Sequence, residues 1–413
     1  MRIALVTQHY PPHFEGGTEA VVRGQARELA SLGHEVWIVS GTDRPHTGQR
    51  RTEETVDGLP VYFLPRRADE AYDLILERTR LVREVETLCA EAQLVHVHHW
   101  TTLDNSLVRS LGAGGRPVVL SLHDHFTSCP RFFRIPVEPV EACPEPGDVE
   151  PCVRCIQVDA PLPPDELRAG LMARGRIFGS ELAAAARLIA PSRAHAARLE
   201  HHLSLARGSV EVVPNGLATA VGRAPAPESG RPLRVLHLGH RSRVKGTLDL
   251  VRAAAALPAA RRAEVELCFL GSEVEPGFDQ SLREAAEGCL LRFGGAYDVR
   301  ALSTILAELG GAHVAAFPSH AYESYGLVVD EALALGLPCL VSDRGALPER
   351  LGGAGRALPA ADPAAWTAAL IELLDQPDLL RAWRAALPAQ VPGAAAAAAR
   401  LERLYQQLLA PTP

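Results

Sequence analysis

The sequence predicts an α/β protein built from two similar, doubly wound halves. Three observations carry this. Short continuous apolar runs alternate with helix-length segments, the pattern of parallel strands buried on both faces. The alternation occurs twice, on either side of residues 217–232, which are rich in Ala, Pro and Gly and poor in large apolar side chains. The chain has 413 residues, enough for two or three domains at roughly 100–200 residues each.

The first half opens on an apolar run at residues 3–6. A loop with Pro11-Pro12 and Gly16-Gly17 follows, then a helical stretch from about residue 19 to 32, with Gly33 as its cap. The next run is residues 36–39, and further strand-like runs occur at 60–64, 94–98, 117–122, 188–190 and 210–213. The second series starts at residues 234–238 and continues through 265–270, 290–293, 313–317 and 339–341. Asp362-Pro363 has the chemistry of a helix start, with Asp as cap and Pro in the first turn. Residues 394–409 predict a final helix; their Ala-rich beginning favours helix despite its low complexity. Open α/β sheets bind ligands beyond the carboxyl ends of their strands. The loops after Val6, Leu122, Leu238 and Phe317 are therefore expected to face a cleft between the halves.

Composition narrows the function classes. Forty-seven per cent of residues are hydrophobic and 22 per cent charged, an ordinary globular balance. The net charge of −7 argues against a nucleic-acid partner held by bulk electrostatics. No apolar run approaches the ~20 residues of a membrane helix. The strand-like start Met1-Arg-Ile-Ala-Leu-Val lacks the layout of a signal peptide and suggests a cytoplasmic protein, with loose attachment to a membrane surface still compatible.

Of 42 Lys and Arg residues only one is lysine, Lys245, in Gly239-His-Arg-Ser-Arg-Val-Lys245-Gly246. Strand, glycine, basic residues and a helix from about Thr247 make a natural diphosphate cradle; the alternative is a basic surface turn. Lysine is a compact point charge where arginine is a planar fork. A second constellation is Pro318-Ser-His-Ala-Tyr-Glu323-Ser-Tyr-Gly326-Leu-Val-Val-Asp-Glu331. Gly326 is expected to open a helix whose free N–H groups suit an anion, while Glu323 and Glu331 can accept from sugar hydroxyls. The bland alternative makes Glu323 a cap and Glu331 a solvated surface residue. Gly16 and Gly17, just before a helix, permit close backbone approach to a phosphate or sugar. His123-Asp124-His125 directly follows the strand-like run ending at Leu122. Nearby, His96, His98 and His99 read mainly as strand-end packing, with His98 the one expected to face the cleft.

Together these motifs resemble family 4 glycosyltransferases: Glu323-x7-Glu331, Gly239-x5-Lys245-Gly246, Gly16-Gly17, His123-Asp124 and Val213-Pro-Asn215-Gly216, in family order along nearly the whole chain. The paired-glutamate segment is the most specific part. The resemblance implies the GT-B architecture, two Rossmann-like domains facing a cleft with a C-terminal helix crossing back to the first. It implies an N-terminal acceptor-side domain over residues 1–216, a linker over 217–232, a donor domain over 233–390 and the returning helix over 391–413. It implies retaining sugar transfer from a nucleotide sugar (UDP-, GDP- or ADP-linked) to a hydroxyl acceptor such as a glycan, lipid or natural product, with no catalytic metal. Lys245, and Arg241 in the same loop, would bind the donor diphosphate. Glu331 would hold the ribose, and Glu323 the transferred sugar. Backbone N–H groups at Tyr325, Gly326 and Leu327 would assist, with Gly16 and Gly17 approaching the donor phosphate. His123 would lie near the reacting sugar. One departure is that His240 stands where the family often has arginine; either Arg241 or Arg243 shares the load of Lys245, or Lys245 works with less help. Alternatives are a non-catalytic GT-B partner subunit that binds nucleotide or glycan, a phosphorylase or an epimerase.

Cys129, Cys143 and the Cys152-Val-Arg-Cys155 pair fall in a Pro-rich insertion over about residues 126–160. Four thiolates suit a tetrahedral structural zinc, with the Cys-x2-Cys pair gripping from a tight turn; unpaired cysteines, disulfides or an iron–sulfur cluster are the alternatives. The insertion is expected to shape the acceptor side.

Overall fold

The computed structural model describes residues 1–42, 51–65, 79–136, 143, 149–158, 162–225, 227 and 232–411. The chain divides into two compact units. One comprises Met1–Phe133, Pro144–Ala218 and Pro392–Pro413, and the other Arg134–Cys143 and Thr219–Val391.

The first unit runs β1 (Arg2–Thr7), α1 (Gly17–Ser31), β2 (Glu35–Thr42), β3 (Thr52–Val56), β4 (Leu59–Pro65), α2 (Thr79–Leu88), β5 (Leu94–Val97), α3 (Leu107–Gly112), β6 (Val118–Ser121), α4 (Glu150–Gln157), α5 (Pro164–Ala184), β7 (Arg187–Ala190), α6 (Arg193–His202) and β8 (Val210–Val212). Its sheet has the order β3-β4-β2-β1-β5-β6-β7-β8. All pairings are parallel except β3 with β4. Strands β1, β5 and β6 are almost wholly buried, as their continuous apolar sequences require.

The second unit runs β9 (Leu233–Leu238), α7 (Thr247–Ala255), β10 (Val265–Leu270), α8 (Phe278–Ala285), β11 (Leu290–Phe293), α9 (Leu302–Glu308), β12 (Val314–Phe317), α10 (Leu327–Ala334), β13 (Cys339–Ser342), α11 (Leu347–Arg350), β14 (Gly355–Leu358), α12 (Pro363–Asp375) and α13 (Pro377–Ala385). Its six parallel strands have the order β11-β10-β9-β12-β13-β14. The winding reverses between β9 and β12, so the loops after these two strands flank the switch point where such sheets bind ligands. As the Asp-Pro pair predicts, Asp362 caps α12 by accepting from the Ala365 N–H at 3.2 Å.

The last helix, α14 (Ala394–Leu409), belongs to the first unit and packs on α1. Leu401, Leu404 and Tyr405 join the core formed by Ile3, Leu5, Val22 and Leu29. Small residues permit the approach: a side chain begun at Gly24 of α1 would stand 3.0 Å from both Ala218 and Ala394. The entry to α14 is held by two backbone bonds, Leu217 N to Pro392 O and Ala394 N to Leu217 O. Among the described residues no helix is long and apolar enough to cross a membrane.

The insertion differs from its expected form. Residues 150–157 are the helix α4 and not a tight turn, with Pro151 in its first turn and Val153 and Ile156 buried against Leu167 of α5. Part of the 126–160 segment lies outside the described residues. Strand β3 is invisible to an apolar-run criterion because its sequence, TEETV, is polar and its side chains are at most half-buried at the sheet edge. Strand β14 escapes it because GRAL has a single fully buried side chain.

Gly216 tests the α14 junction. Its φ of +69° is a left-handed conformation, and a Cβ there would lie 2.4 Å from the Gly393 carbonyl oxygen. Gly216→Ala should therefore cost about 2 kcal/mol and lower the melting temperature by about 4–8 °C. Gly114→Ala, where a Cβ meets nothing within 4 Å, should leave it nearly unchanged. Equal melting of the two variants would contradict the packing described for this junction.

Candidate functional site

In the second unit the two switch-point loops are zipped together. The His320 N–H donates to Val244 O at 2.9 Å. Gly246, at φ +68°, lets the lysine loop press against the loop after β12; a Cβ there would stand 2.0 Å from Pro318 O. That approach places Lys245 Nζ 2.7 Å from Glu323 Oε1. Ser319 Oγ donates to the same oxygen at 2.8 Å. Burial pushes the Glu323 carboxyl up, but the charge and hydrogen bond of Lys245 and the Ser319 hydroxyl outweigh it and hold it below its ordinary value. The lysine side chain is 35% exposed and Glu323 18%, so the pair is half-open to a ligand.

Helix α10 begins directly after Gly326. The Val329 N–H donates to Gly326 O at 3.0 Å, and the helix start carries the positive end of the helix dipole. Glu331, one turn inside, is 7% exposed, which removes the reading of a solvated surface residue. Tyr297 donates its hydroxyl to Glu331 Oε2 at 3.0 Å. Burial pushes Glu331 up to about 7, with Tyr297 working against that and Asp330 adding to it. The helix is fixed from its other side. Arg350 donates to both Asp330 oxygens at 2.8–2.9 Å, and Tyr325 donates its hydroxyl to Asp330 Oδ2 at 2.9 Å.

Arg241 is engaged elsewhere. Its guanidinium grips Asp279 at 2.5 and 2.7 Å and donates to Gly271 O, and it lies over the Phe293 ring. Arg243 pairs with Glu275 at 3.4 Å. Burial, and then the positive charge of Lys245, lower His240 from its ordinary value.

In the first unit, His123 sits two residues beyond β6 and is 8% exposed. His98 Nδ1 lies 3.0 Å from His123 Nε2. Asp124 faces His99 at 3.3 Å and accepts from the Phe126 N–H at 2.7 Å. His96, His98 and His99 are all buried, as strand-end packing predicts. Gly16 caps α1 in an extended conformation, and Gly17 is the first helical residue. The Glu19 carboxylate folds over Gly16, where a Cβ would meet Glu19 Oε2 at 2.7 Å. Burial raises the Glu19 carboxyl from its ordinary value.

The four cysteines do not form an evident ligand set. Cys152 and Cys155 lie one turn apart on α4, Cys143 donates its N–H to Arg134 O, and Cys129 donates its own to His125 O. Among the described residues no three or more His, Cys, Asp or Glu side chains gather in a metal-binding arrangement.

Three neighbours of the candidate site carry no signal in the sequence. Ser319 lies inside the motif but has no partner until the fold supplies Glu323. Tyr297 and Arg350 come from distant loops and helices, and no sequence spacing connects them to α10.

The buried imidazoles imply acid sensitivity. Burial lowers His96 to about 3, His123 and His195 to about 4, and His98 well below its usual range. In the unfolded chain each titrates near ~6.5. Below that pH the unfolded chain takes up protons that the folded one refuses, so stability falls as pH drops from about 6.5 to 4. Each such histidine contributes up to about 1.4 kcal/mol per pH unit. Melting temperature measured against pH should fall steeply over this window, and His195→Gln should reduce the slope. A flat profile from pH 6.5 to 5 would contradict the neutral assignment.

Residues 15–221 match the family described as Glycosyltransferase Family 4, and residues 232–376 match Glycosyl transferases group 1. The chain is 26% identical to an MMP alpha-(1->4)-mannosyltransferase of Mycolicibacterium hassiacum, over 92% of this chain and 91% of that protein. It is also 26% identical to a glycogen synthase of Mycobacterium tuberculosis, over 91% and 87% of the two. In fold it is similar to Anabaena HepE in complex with UDP, with a TM-score of 0.67 at 15% identity over 98% of this chain and 100% of that one. The catalytic domain of Arabidopsis thaliana Starch Synthase IV bound to ADP and acarbose is similar at TM-score 0.65, 15% identity, covering 98% and 99%. With two parallel-sheet α/β units, a switch-point Lys–Glu pair and a family match over half its length, the chain belongs to glycosyltransferase family 4 and has the GT-B fold.

Proposed function

We propose that this glycosyltransferase moves a sugar, with retention of anomeric configuration, from a nucleoside-diphosphate sugar to a hydroxyl acceptor on a glycan, lipid or natural product. The observation that carries the reading is the 2.7 Å Lys245–Glu323 pair beside the start of α10. Donor chemistry follows from it. A diphosphate competes with Glu323 for the ammonium of Lys245, and the backbone N–H groups at Tyr325, Gly326 and Leu327, at the start of α10, take its remaining charge. Glu323, released from the lysine, accepts from hydroxyls of the transferred sugar. Glu331, held by Tyr297, accepts from the ribose. Arg241 would have to leave Asp279 to reach the diphosphate, so the reading gives Lys245 the main cationic role.

Cleavage of the sugar–phosphate bond puts negative charge on the leaving diphosphate and positive character on the anomeric carbon. Fixed donors aimed at the leaving oxygens stabilise that state without reorganisation, which is why no divalent metal is assigned to the centre. In a same-face displacement the leaving phosphate takes the acceptor's proton. By the family resemblance, the reading assigns His123 a role near the reacting sugar, and Gly16 and Gly17 a role toward the donor phosphate. Intact Lys245, Glu323, Glu331 and His123 leave the partner-subunit alternative without a supporting observation.

Lys245→Ala should lower transfer about 100- to 1000-fold while the melting temperature stays near that of the parent. Turnover at the parental rate in that variant would remove Lys245 from the mechanism. Screening UDP-, GDP- and ADP-linked donors identifies the base.

For the insertion, the proposal of a structural zinc on Cys129, Cys143, Cys152 and Cys155 rests on their sequence spacing and on the one-turn separation of Cys152 and Cys155. Elemental analysis of the purified protein should give about one equivalent of zinc if it holds. A metal content near zero, or iron in place of zinc, would overturn it.

A further inference from the structure

Behind His123 the first unit carries a chain of buried imidazoles that packing alone does not require. His96 and His98 are two residues apart, on β5 and just beyond its end, and so project from the same face of the sheet. Tyr405 of α14 lies 2.5 Å from His96 Nδ1, and Ser121 Oγ lies 2.8 Å from His96 Nε2, so both ring nitrogens of His96 are satisfied. The His96 ring packs on the His98 ring at 3.9 Å between centroids. His98 in turn holds His123, Nδ1 to Nε2, at 3.0 Å, with the rings nearly parallel at 17°.

One hydrogen must lie between His98 and His123, because both rings are buried and neutral at pH 7. Two tautomer assignments are available. If His123 donated from Nε2, His98 would accept at Nδ1 and carry its own hydrogen on Nε2. The Nε2 atom of His98 is fully buried and has no hydrogen-bond partner among the described residues. That assignment therefore strands a buried N–H donor, at a cost of about 1–3 kcal/mol. In the other assignment His98 donates from Nδ1. Nε2 then keeps only an unshared lone pair, and His123 carries its hydrogen on Nδ1.

We infer that His98 is a positioning residue that fixes His123 as the Nδ1–H tautomer, with its Nε2 lone pair occupied. The inference rests on the placement of His123 at the reacting sugar under the proposed function. It deepens that reading, since a histidine so held acts as a hydrogen-bond donor and not as the base for the acceptor hydroxyl. The acceptor's proton therefore has to leave by another group, consistent with its capture by the leaving phosphate. It also gives α14 a role beyond packing, because Tyr405 anchors the ring against which His98 packs.

The test uses the full-length chain labelled with nitrogen-15 in histidine, read by long-range proton–nitrogen correlation and assigned with His123→Ala. The expected spectrum shows His123 protonated on Nδ1. A His123 protonated on Nε2 overturns the inference. Two variants extend the test. His98→Asn keeps an N–H near the Nδ1 position and should retain most activity and the His123 tautomer. His98→Leu should lower kcat about tenfold or more with donor KM little changed, and should release the His123 tautomer to a mixture. Parental kcat and an unchanged His123 spectrum in His98→Leu also overturn it. If His98→Leu fails to fold, the wild-type tautomer and the His98→Asn comparison decide. Parental transfer in His123→Ala would instead defeat the placement of His123 at the sugar, while leaving the tautomer measurement to stand or fall separately.

Discussion

The close approach of two loops at the switch point of the second sheet is the constraint on which the candidate donor site depends. Gly246 has no Cβ, so the lysine loop can press against Pro318 O. The His320–Val244 backbone bond locks that contact. Only then does the one lysine of the chain reach Glu323. A parallel sheet with order β11-β10-β9-β12-β13-β14 puts the ends of β9 and β12 side by side, and hence these two loops together. Fold, glycine and ion pair form one chain of cause.

The pair itself is arranged for exchange more than for stability. A half-exposed ammonium beside a carboxylate contributes little to folding, since solvent screens it and two side chains must be ordered. What it provides is a cation whose partner can be displaced. The deeper carboxylates are different. Asp330 is 1% exposed, bound on both oxygens by Arg350 and by the Tyr325 hydroxyl, and holds α10 in place. Glu331, on the same helix, keeps one oxygen on Tyr297. The helix start is thus fixed by buried contacts, while the Lys245 and Glu323 side chains stay partly exposed.

Much of this arrangement is legible in the order of the amino acids. The lysine loop, the paired glutamates and the start of α10 can be read because each is local: a strand, a glycine, then a helix. The β9 and α7 boundaries follow from apolar runs and glycines, and the Asp362 cap from its own chemistry. What cannot be read is pairwise and distant. Nothing in the sequence joins Tyr297 to Glu331, Arg350 to Asp330 or Tyr405 to His96. Arg241 shows the same limit: the lysine loop marks it as a candidate ligand, but nothing in the sequence joins it to Asp279, 38 residues away, which holds its guanidinium in this structure. The turn expected around Cys152 and Cys155 fails for a local reason, since Pro151 sits in the first turn of a helix there.

The central claim is that Lys245 is the diphosphate's cation and that Glu323 competes for it until the donor binds. Calorimetric titration of the parent, Lys245→Ala and Glu323→Gln with UDP, GDP and ADP tests it most directly, because free nucleotides report the diphosphate contact without the sugar. The account predicts that the preferred nucleotide binds Lys245→Ala at least about tenfold more weakly. It predicts that Glu323→Gln binds as tightly as the parent or more tightly. Equal weakening in both variants, or no binding of any nucleotide to the parent, would contradict it.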